Sequence, residues 1–372
     1  DFISWLCTVN PLNAINDYYY AMYAVDFSIG FCSRALIGSV ISLFTDTISI
    51  PALNIAAMCI YVAVCIVVCL VINSVMKKCD NKVFYIFIIT VLLSPLYAVF
   101  LFDFGILDIF WLLGMVLSLI IVDNKYLRWL IPLICALCLA VHNAFVLTYL
   151  PVVFLFVLYQ YIRKPTKGNL SFVILFVLLA GAASVYFVIF GDSTIKISEE
   201  QLMDIARAKY GGKDLDDVYI LFSLYGKVPG RENVQGFGNY LKFMFNYTTE
   251  DLTLSWYTYF IIATTALVAP IYYVIIKTIK RSNNKIFKIY YGMAFLIIPA
   301  EIIAALLSTD AERYASALVL SLTFFAIFLI KSRDENFTES LKEITATVEK
   351  NKSFLLLIFI IICKYIFAGV EA

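Results

Sequence analysis

The sequence predicts an all-α polytopic membrane protein with about ten or eleven spanning helices, on three observations. Hydrophobic residues make up 62% of the 372 residues and charged residues 15%. A soluble domain is nearer half apolar and a quarter charged, and the mean hydropathy of +0.90 points the same way. The apolar residues also gather into runs of roughly 18 to 25, the length that crosses a ~30 Å hydrocarbon core. Basic residues, finally, fall in alternate connections between those runs.

Taken in order, the runs place spans at 54–75, 83–102, 104–122, 127–141, 144–162, 170–190, 255–276, 286–307, 314–330 and 353–369. Phe2 to Val9 reads as the outer end of a further helix whose start precedes Asp1. The whole chain, 1–372, is expected to form a single membrane domain. Two long hydrophilic stretches, 10–50 and 191–253, separate the runs, together with a charged stretch at 331–352. In that last stretch apolar residues stand at Phe337, Leu341, Ile344 and Val348, the spacing of one face of a surface helix.

Lys and Arg set the orientation. Lys77, Lys78, Lys82, Lys125, Arg128, Arg163, Lys164 and Lys167 lie on one side of the ten-span arrangement. So do Lys277, Lys280, Arg281, Lys285, Lys288, Lys331, Arg333, Lys342, Lys350 and Lys352. The opposite short connections and 10–50 contain Arg34 and Arg313. The positive-inside rule makes the basic side cytoplasmic. It puts 10–50 and 191–253 outside as extracytoplasmic loops and 331–352 inside. The nine cysteines are scattered and mostly sit in apolar runs, Cys59, Cys65 and Cys69 among them, so neither a disulfide framework nor a zinc site is indicated. A net charge of +1 gives no reason to expect nucleic acid.

With that topology, the unusual polar residues collect at the outer face. Asp26 and Arg34 lie in the first loop, and Asp103 is in the turn before the third span, with Asp108 about one helical turn into it. His142, the one histidine, and Asn143 follow the fourth span. Glu301 lies about two turns below the outer end of the eighth, and Asp310 and Arg313 make the next turn. An ionised group near the centre of a spanning helix costs about 2.5–3.5 kcal/mol and usually marks a partner or a polar cavity. The set therefore predicts a polar cavity open to the outside. Arginine holds phosphate through a planar fork of donors, and a carboxylate can take a proton from an attacking hydroxyl. Both parts serve sugar transfer from a polyprenyl-phosphate donor, with Asp26 as base and Arg34 and Arg313 sharing one phosphate. The loop 191–253, with Lys209, Tyr210, Tyr225, Arg231 and Tyr240, is placed to cover the site or hold an acceptor glycan.

This layout resembles the C-superfamily (GT-C) of lipid-linked-sugar glycosyltransferases, in the form that builds bacterial surface polysaccharide. The resemblance covers most of the chain as layout: a long first outer loop with an acid, short turns, and a second long loop after helix seven if one helix is restored before Phe2. It implies amphipathic helices in the first loop, Asp26 as general base, Asp103 as the acid of the second outer turn, and Arg313 facing the lipid phosphate. It also implies a glycan or lipid acceptor, a bacterial inner-membrane location with the site on the extracytoplasmic face, and room for a divalent cation such as Mg or Mn. Two other readings fit the same composition. One is an O-antigen-polymerase-like enzyme in which arginines dominate. The other is a transporter or flippase of lipid-linked glycans, for which two similar halves or broken midplane helices are expected.

Overall fold

A computed structural model describes residues 14–79, 81–92, 104–191, 194–216, 224, 254–306 and 311–351. Those residues are mostly helical, and no strand occurs among them. In chain order the helices are α1 (Asp17–Ala24), α2 (Ala35–Ser42), α3 (Ile50–Cys79), α4 (Lys82–Leu92), α5 (Asp108–Ile121), α6 (Ile131–Val141) and α7 (Leu150–Arg163). They continue with α8 (Lys167–Val185), α9 (Glu199–Lys209), α10 (Leu254–Arg281), α11 (Lys285–Met293), α12 (Ile297–Leu306), α13 (Ala311–Lys331) and α14 (Glu335–Lys350). Among the described residues four stretches are long and apolar enough to cross a membrane: Ile50–Lys77, Lys167–Phe190, Lys285–Ala305 and Arg313–Lys331. The run at 353–369 lies outside the described residues.

Two spans are less regular than an even apolar run implies. The stretch 144–162 opens as a 3-10 turn, Asn143–Val146, and α7 starts only at Leu150. Pro151 explains the late start, because proline suits the first helical positions, where no intrahelical partner for its nitrogen is needed. The stretch 286–307 splits into α11, a 3-10 turn at Ala294–Leu296, and α12. Pro299 there lacks an N–H and its ring crowds the carbonyl four residues back, at Phe295, inside the 3-10 turn.

The chain divides into two units. The first takes Asp1–Ile66, Phe102–Val146 and Ser171–Phe243; the second takes Val67–Leu101, Leu147–Leu170 and Met244–Ala372. In the first unit, α5 packs on α6, α2 on α6, and α1 on both α2 and α9. Two glycines permit this closeness. A Cβ at Gly38 of α2 would collide with the Val25 carbonyl, and one at Gly114 of α5 would collide with the Cys138 sulfur of α6. Asn54, fully buried at the start of α3, secures the incoming chain. Its Oδ1 accepts from the Ala14 and Ile15 amides (2.7 and 2.6 Å), and its Nδ2 donates to Tyr20 Oη and the Ile50 carbonyl (2.9 and 2.8 Å).

In the second unit α13 runs through the centre, packed against α12, α10 and α7 and buried along most of its length. The surface helix expected at 331–352 is α14. Phe337 and Leu341 are buried, Ile344 and Val348 half-buried, and the helix lies along α10. Glu343 accepts from Lys277 Nζ (2.6 Å) and Arg281 Nη2 (3.0 Å), and these two cations hold its carboxyl below the usual range. Asp334 caps α14 through the Phe337 amide (2.9 Å) and also accepts from the hydroxyls of Tyr159 (2.8 Å) and Tyr291 (2.7 Å).

Candidate functional site

Within 14–50 the chain forms two short helices, α1 and α2, and the site in the first unit is built around the second. Asp26 precedes α2 and is nearly buried. Its Oδ1 accepts from the Ser28 amide (2.8 Å) and its Oδ2 from the Ser42 hydroxyl (3.0 Å), at the last residue of α2. Lys209, the last residue of α9, reaches the same Oδ2. Lys209 Nζ also donates to the Ala24 carbonyl (3.0 Å) and to Ser42 Oγ (2.9 Å). Burial pulls the Asp26 carboxyl upward, but the bonds from Lys209, Ser28 and Ser42 outweigh it and hold the group down at about 2.

Helix α9 belongs to the long stretch 191–253, and it packs on α1 of segment 10–50. Ser198 and Gln201 cap it reciprocally, Ser198 Oγ accepting from the Gln201 amide (3.3 Å) and Gln201 Oε1 from the Ser198 amide (3.0 Å). Leu202, Met203 and Ala206 form its buried face. Tyr210 donates to the Tyr20 carbonyl (2.7 Å), and the Ile48 amide donates to the Lys209 carbonyl (2.6 Å). Of the residues expected to cover the site, Lys209 and Tyr210 are thus in contact with segment 10–50. Tyr225, Arg231 and Tyr240 lie outside the described residues.

Arg34 stands at the other end of α2, as its N-cap, with φ 72°. That left-handed conformation costs a non-glycine residue about 1–3 kcal/mol. It is held by a hydrogen bond from the Arg34 amide to the Ala140 carbonyl (2.9 Å) at the end of α6. Its Nη2 lies 3.2 Å from His142 Nε2. His142 ends α6 in extended conformation, 4% exposed, and its Nδ1 accepts from the Ala144 amide (3.2 Å). The Trp111 indole of α5 packs edge to face on the imidazole, ring centroids 4.9 Å apart. Two residues distant in sequence, Arg34 and His142, are therefore neighbours.

The other expected residues fall as follows. Asp108 is 2% exposed and is the first residue of α5, not one turn in, so its carboxylate sits at the positive end of the helix dipole. Asn143 opens the 3-10 turn after His142 and is half-buried. Glu301 belongs to the second unit and is 2% exposed on α12. Neither of its carboxylate oxygens meets a hydrogen-bond partner among the described residues. Arg313 is also in the second unit, buried near the start of α13, where it donates to Tyr314 Oη (3.4 Å) and lies 5.3 Å from that ring. Asp103 and Asp310 lie outside the described residues.

Among the described residues no three His, Cys, Asp or Glu side chains gather as metal ligands. Reading the cysteines as scattered passed over one pair: Cys135 and Cys138 make a CxxC on α6, both buried free thiols. Reasoning from sequence also missed Ser42 and Trp111. No family model matches this sequence, and neither a curated protein nor a solved structure matches it.

Proposed function

We propose that the chain is a membrane glycosyltransferase or polysaccharide polymerase. It moves a sugar from a polyprenyl-(pyro)phosphate donor to a glycan or lipid acceptor at the extracytoplasmic face of a bacterial inner membrane. The observation that carries this reading is the placement of opposite chemistries at the two ends of α2. Arg34 caps the N-terminus, where the helix dipole and the guanidinium both favour a phosphate. The Asp26 carboxylate meets Ser42 at the C-terminus. Eight residues of helix at about 1.5 Å each separate the ends by roughly 12 Å, room for a sugar ring between an acceptor hydroxyl and the phosphate it leaves.

In this reading Asp26 receives the proton of the acceptor hydroxyl, the new C–O bond forms at the anomeric carbon, and the phosphate leaves held by Arg34. A carboxyl held at about 2 is a weak base near neutral pH. The acceptor hydroxyl therefore has to take the place of Lys209 Nζ on Asp26, which frees the carboxylate as α9 yields. The same ion pair favours a second reading, the O-antigen-polymerase-like enzyme in which arginine carries the work and Asp26 only shapes the loop.

Purified protein assayed for transfer separates the two. Asp26→Asn lowers turnover by roughly 10²–10⁴ if the carboxylate is the base. Near-normal turnover in Asp26→Asn, with a loss in Arg34→Ala, removes Asp26 from the mechanism and leaves the arginine-based enzyme.

A further inference from the structure

We propose that α2 lies along a membrane interface, with Leu43 and Phe44 inserted among the lipid acyl chains. The partner is the bilayer itself, and the inference stands whether or not the protein transfers sugar.

The two faces of α2 are reversed relative to those of a helix in water. At the helical period, Ala35, Gly38, Ser39 and Ser42 share one face. Leu36, Ile37 and Val40 share the opposite one with Leu43 and Phe44, whose amides continue the last turn by donating to the Val40 and Ile41 carbonyls (3.2 and 2.9 Å). The small and polar face is the one turned to the protein. Ala35 and Gly38 are buried, and the Gly38 backbone sits against the Val25 carbonyl. Ser39 Oγ accepts from the Phe27 amide (2.8 Å), and Ser42 Oγ donates to Asp26 (3.0 Å). The large apolar face is left uncovered: Leu43 is 81% exposed, Phe44 83% and Val40 45%. No Asp, Glu, Lys or Arg occurs in α2 to solvate that face. A surface helix of a soluble domain buries its apolar stripe and shows its charges, and a contiguous exposed apolar patch marks an interaction surface.

The position of α2 in the chain says which surface. Eight residues are far too few to cross a bilayer, yet both ends of the segment are tied to places where spanning stretches end. On one side the half-exposed Phe31 joins the stretch Lys167–Phe190. Its carbonyl accepts from Tyr186 Oη (3.1 Å), and its ring lies 5.5 Å from the Tyr186 ring and 5.6 Å from that of Phe187. On the other side the chain enters the stretch Ile50–Lys77 six residues after Phe44. The level at which such stretches leave the hydrocarbon is the headgroup boundary, where tyrosine also concentrates. A helix held there with its apolar face about 5–10 Å into the acyl region has the interfacial arrangement. Insertion of Leu43 and Phe44 also steadies the end of α2 at which Ser42 meets Asp26 and Lys209.

The experiment uses the full chain in phosphatidylcholine nanodiscs, in a cysteine-free background, with one NBD label at Leu43→Cys or Phe44→Cys. A label at Glu200→Cys, on the exposed face of α9, is the water-facing reference. Doxyl-phosphatidylcholine with its nitroxide near the head of the acyl chain is expected to quench the labels at 43 and 44 at least about threefold more than the reference. A nitroxide near the chain end quenches them less, and aqueous iodide quenches them less than it does the reference. Both side chains project from the surface, so the substitutions leave the packed face of α2 intact, and each position checks the other. Quenching by iodide and not by doxyl lipid at both positions places the tip in water and overturns the proposal. Shielding from both quenchers shows that a second copy or another protein covers the tip, which overturns it equally. Sugar transfer is not read in this experiment, so the transferase reading and this one can fail separately.

Discussion

Replacing Lys209 by methionine isolates one of the contacts that tie the 191–253 stretch to segment 10–50. The fall of the Asp26 carboxyl from 3.8 to about 2 corresponds to roughly 2–3 kcal/mol of net favourable interaction with its ionised form, shared among the bonds from Lys209, Ser28 and Ser42 and opposed by burial. Lys209 is the largest of the favourable contributions, and both side chains are largely sheltered, 17% and 12% exposed for Lys209 and Asp26, so solvent screens only part of it and on the order of 2 kcal/mol is expected for its loss. A depressed carboxyl contributes its stability above 3.8 and loses it as the pH falls through about 2. The effect of Lys209→Met is therefore full at neutral pH and vanishes in strong acid. Cys32, fully buried in the same loop, supplies a local readout. In a background where the other cysteines are replaced, thiol labelling of Cys32 reports opening of the loop. At 2 kcal/mol the labelling rate of Lys209→Met rises about 30-fold at pH 7. A cycle with Asp26→Asn and the double variant should give a coupling near 2 kcal/mol. Additivity within about 0.5 kcal/mol would refute the clasp.

Three further outcomes are expected. Asn54→Ala leaves the Ala14 and Ile15 amides without their acceptor, at about 1–3 kcal/mol each, and should lower the thermal midpoint by several degrees; an unchanged midpoint shows that water replaces the side chain. Asp334→Ala removes a helix cap worth about 1 kcal/mol and strands the Tyr159 and Tyr291 hydroxyls, so α14 should become sensitive to limited proteolysis while Asp334→Asn is milder. On the proposed sidedness, cysteines placed at Ser193 and Ser308 in a cysteine-free background label with an impermeant reagent in intact cells. One at Asn283 does not, and labelling at Asn283 alone reverses the orientation.

What the sequence made legible was whatever depends on local periodicity and length. Phe337, Leu341, Ile344 and Val348 announce α14, and all four are buried or half-buried in that helix. The long apolar run at 54–75 grows to Ile50–Cys79 because Pro51 suits a first helical turn and Lys77 and Lys78 are themselves good helix formers. The late start of α7 at Pro151 and the break before Pro299 were also written in the chain, as prolines that an average over apolar residues does not weigh. The site was legible in its residue types and not in its partnerships. Asp26 and Lys209 lie 183 residues apart, and Arg34 and His142 lie 108 apart. Contacts between distant segments leave no periodic signal, so Lys209 stood out as a loop cation rather than as the group that quenches Asp26. Trp111 was hidden for the opposite reason, since an aromatic residue inside an apolar run looks like core whatever its nitrogen faces.

Transfer from a polyprenyl carrier is tested most directly by release of that carrier, whichever sugar it bears. Protein in nanodiscs is incubated with a total lipid extract of its source cells, and free polyprenyl phosphate or pyrophosphate is followed by mass spectrometry. Release above a protein-free control is expected, retained in Lys209→Met and lost by at least 10-fold in Arg34→Ala. A flippase moves its lipid without cleaving it, so no release above the control from the wild-type protein would contradict the transferase reading.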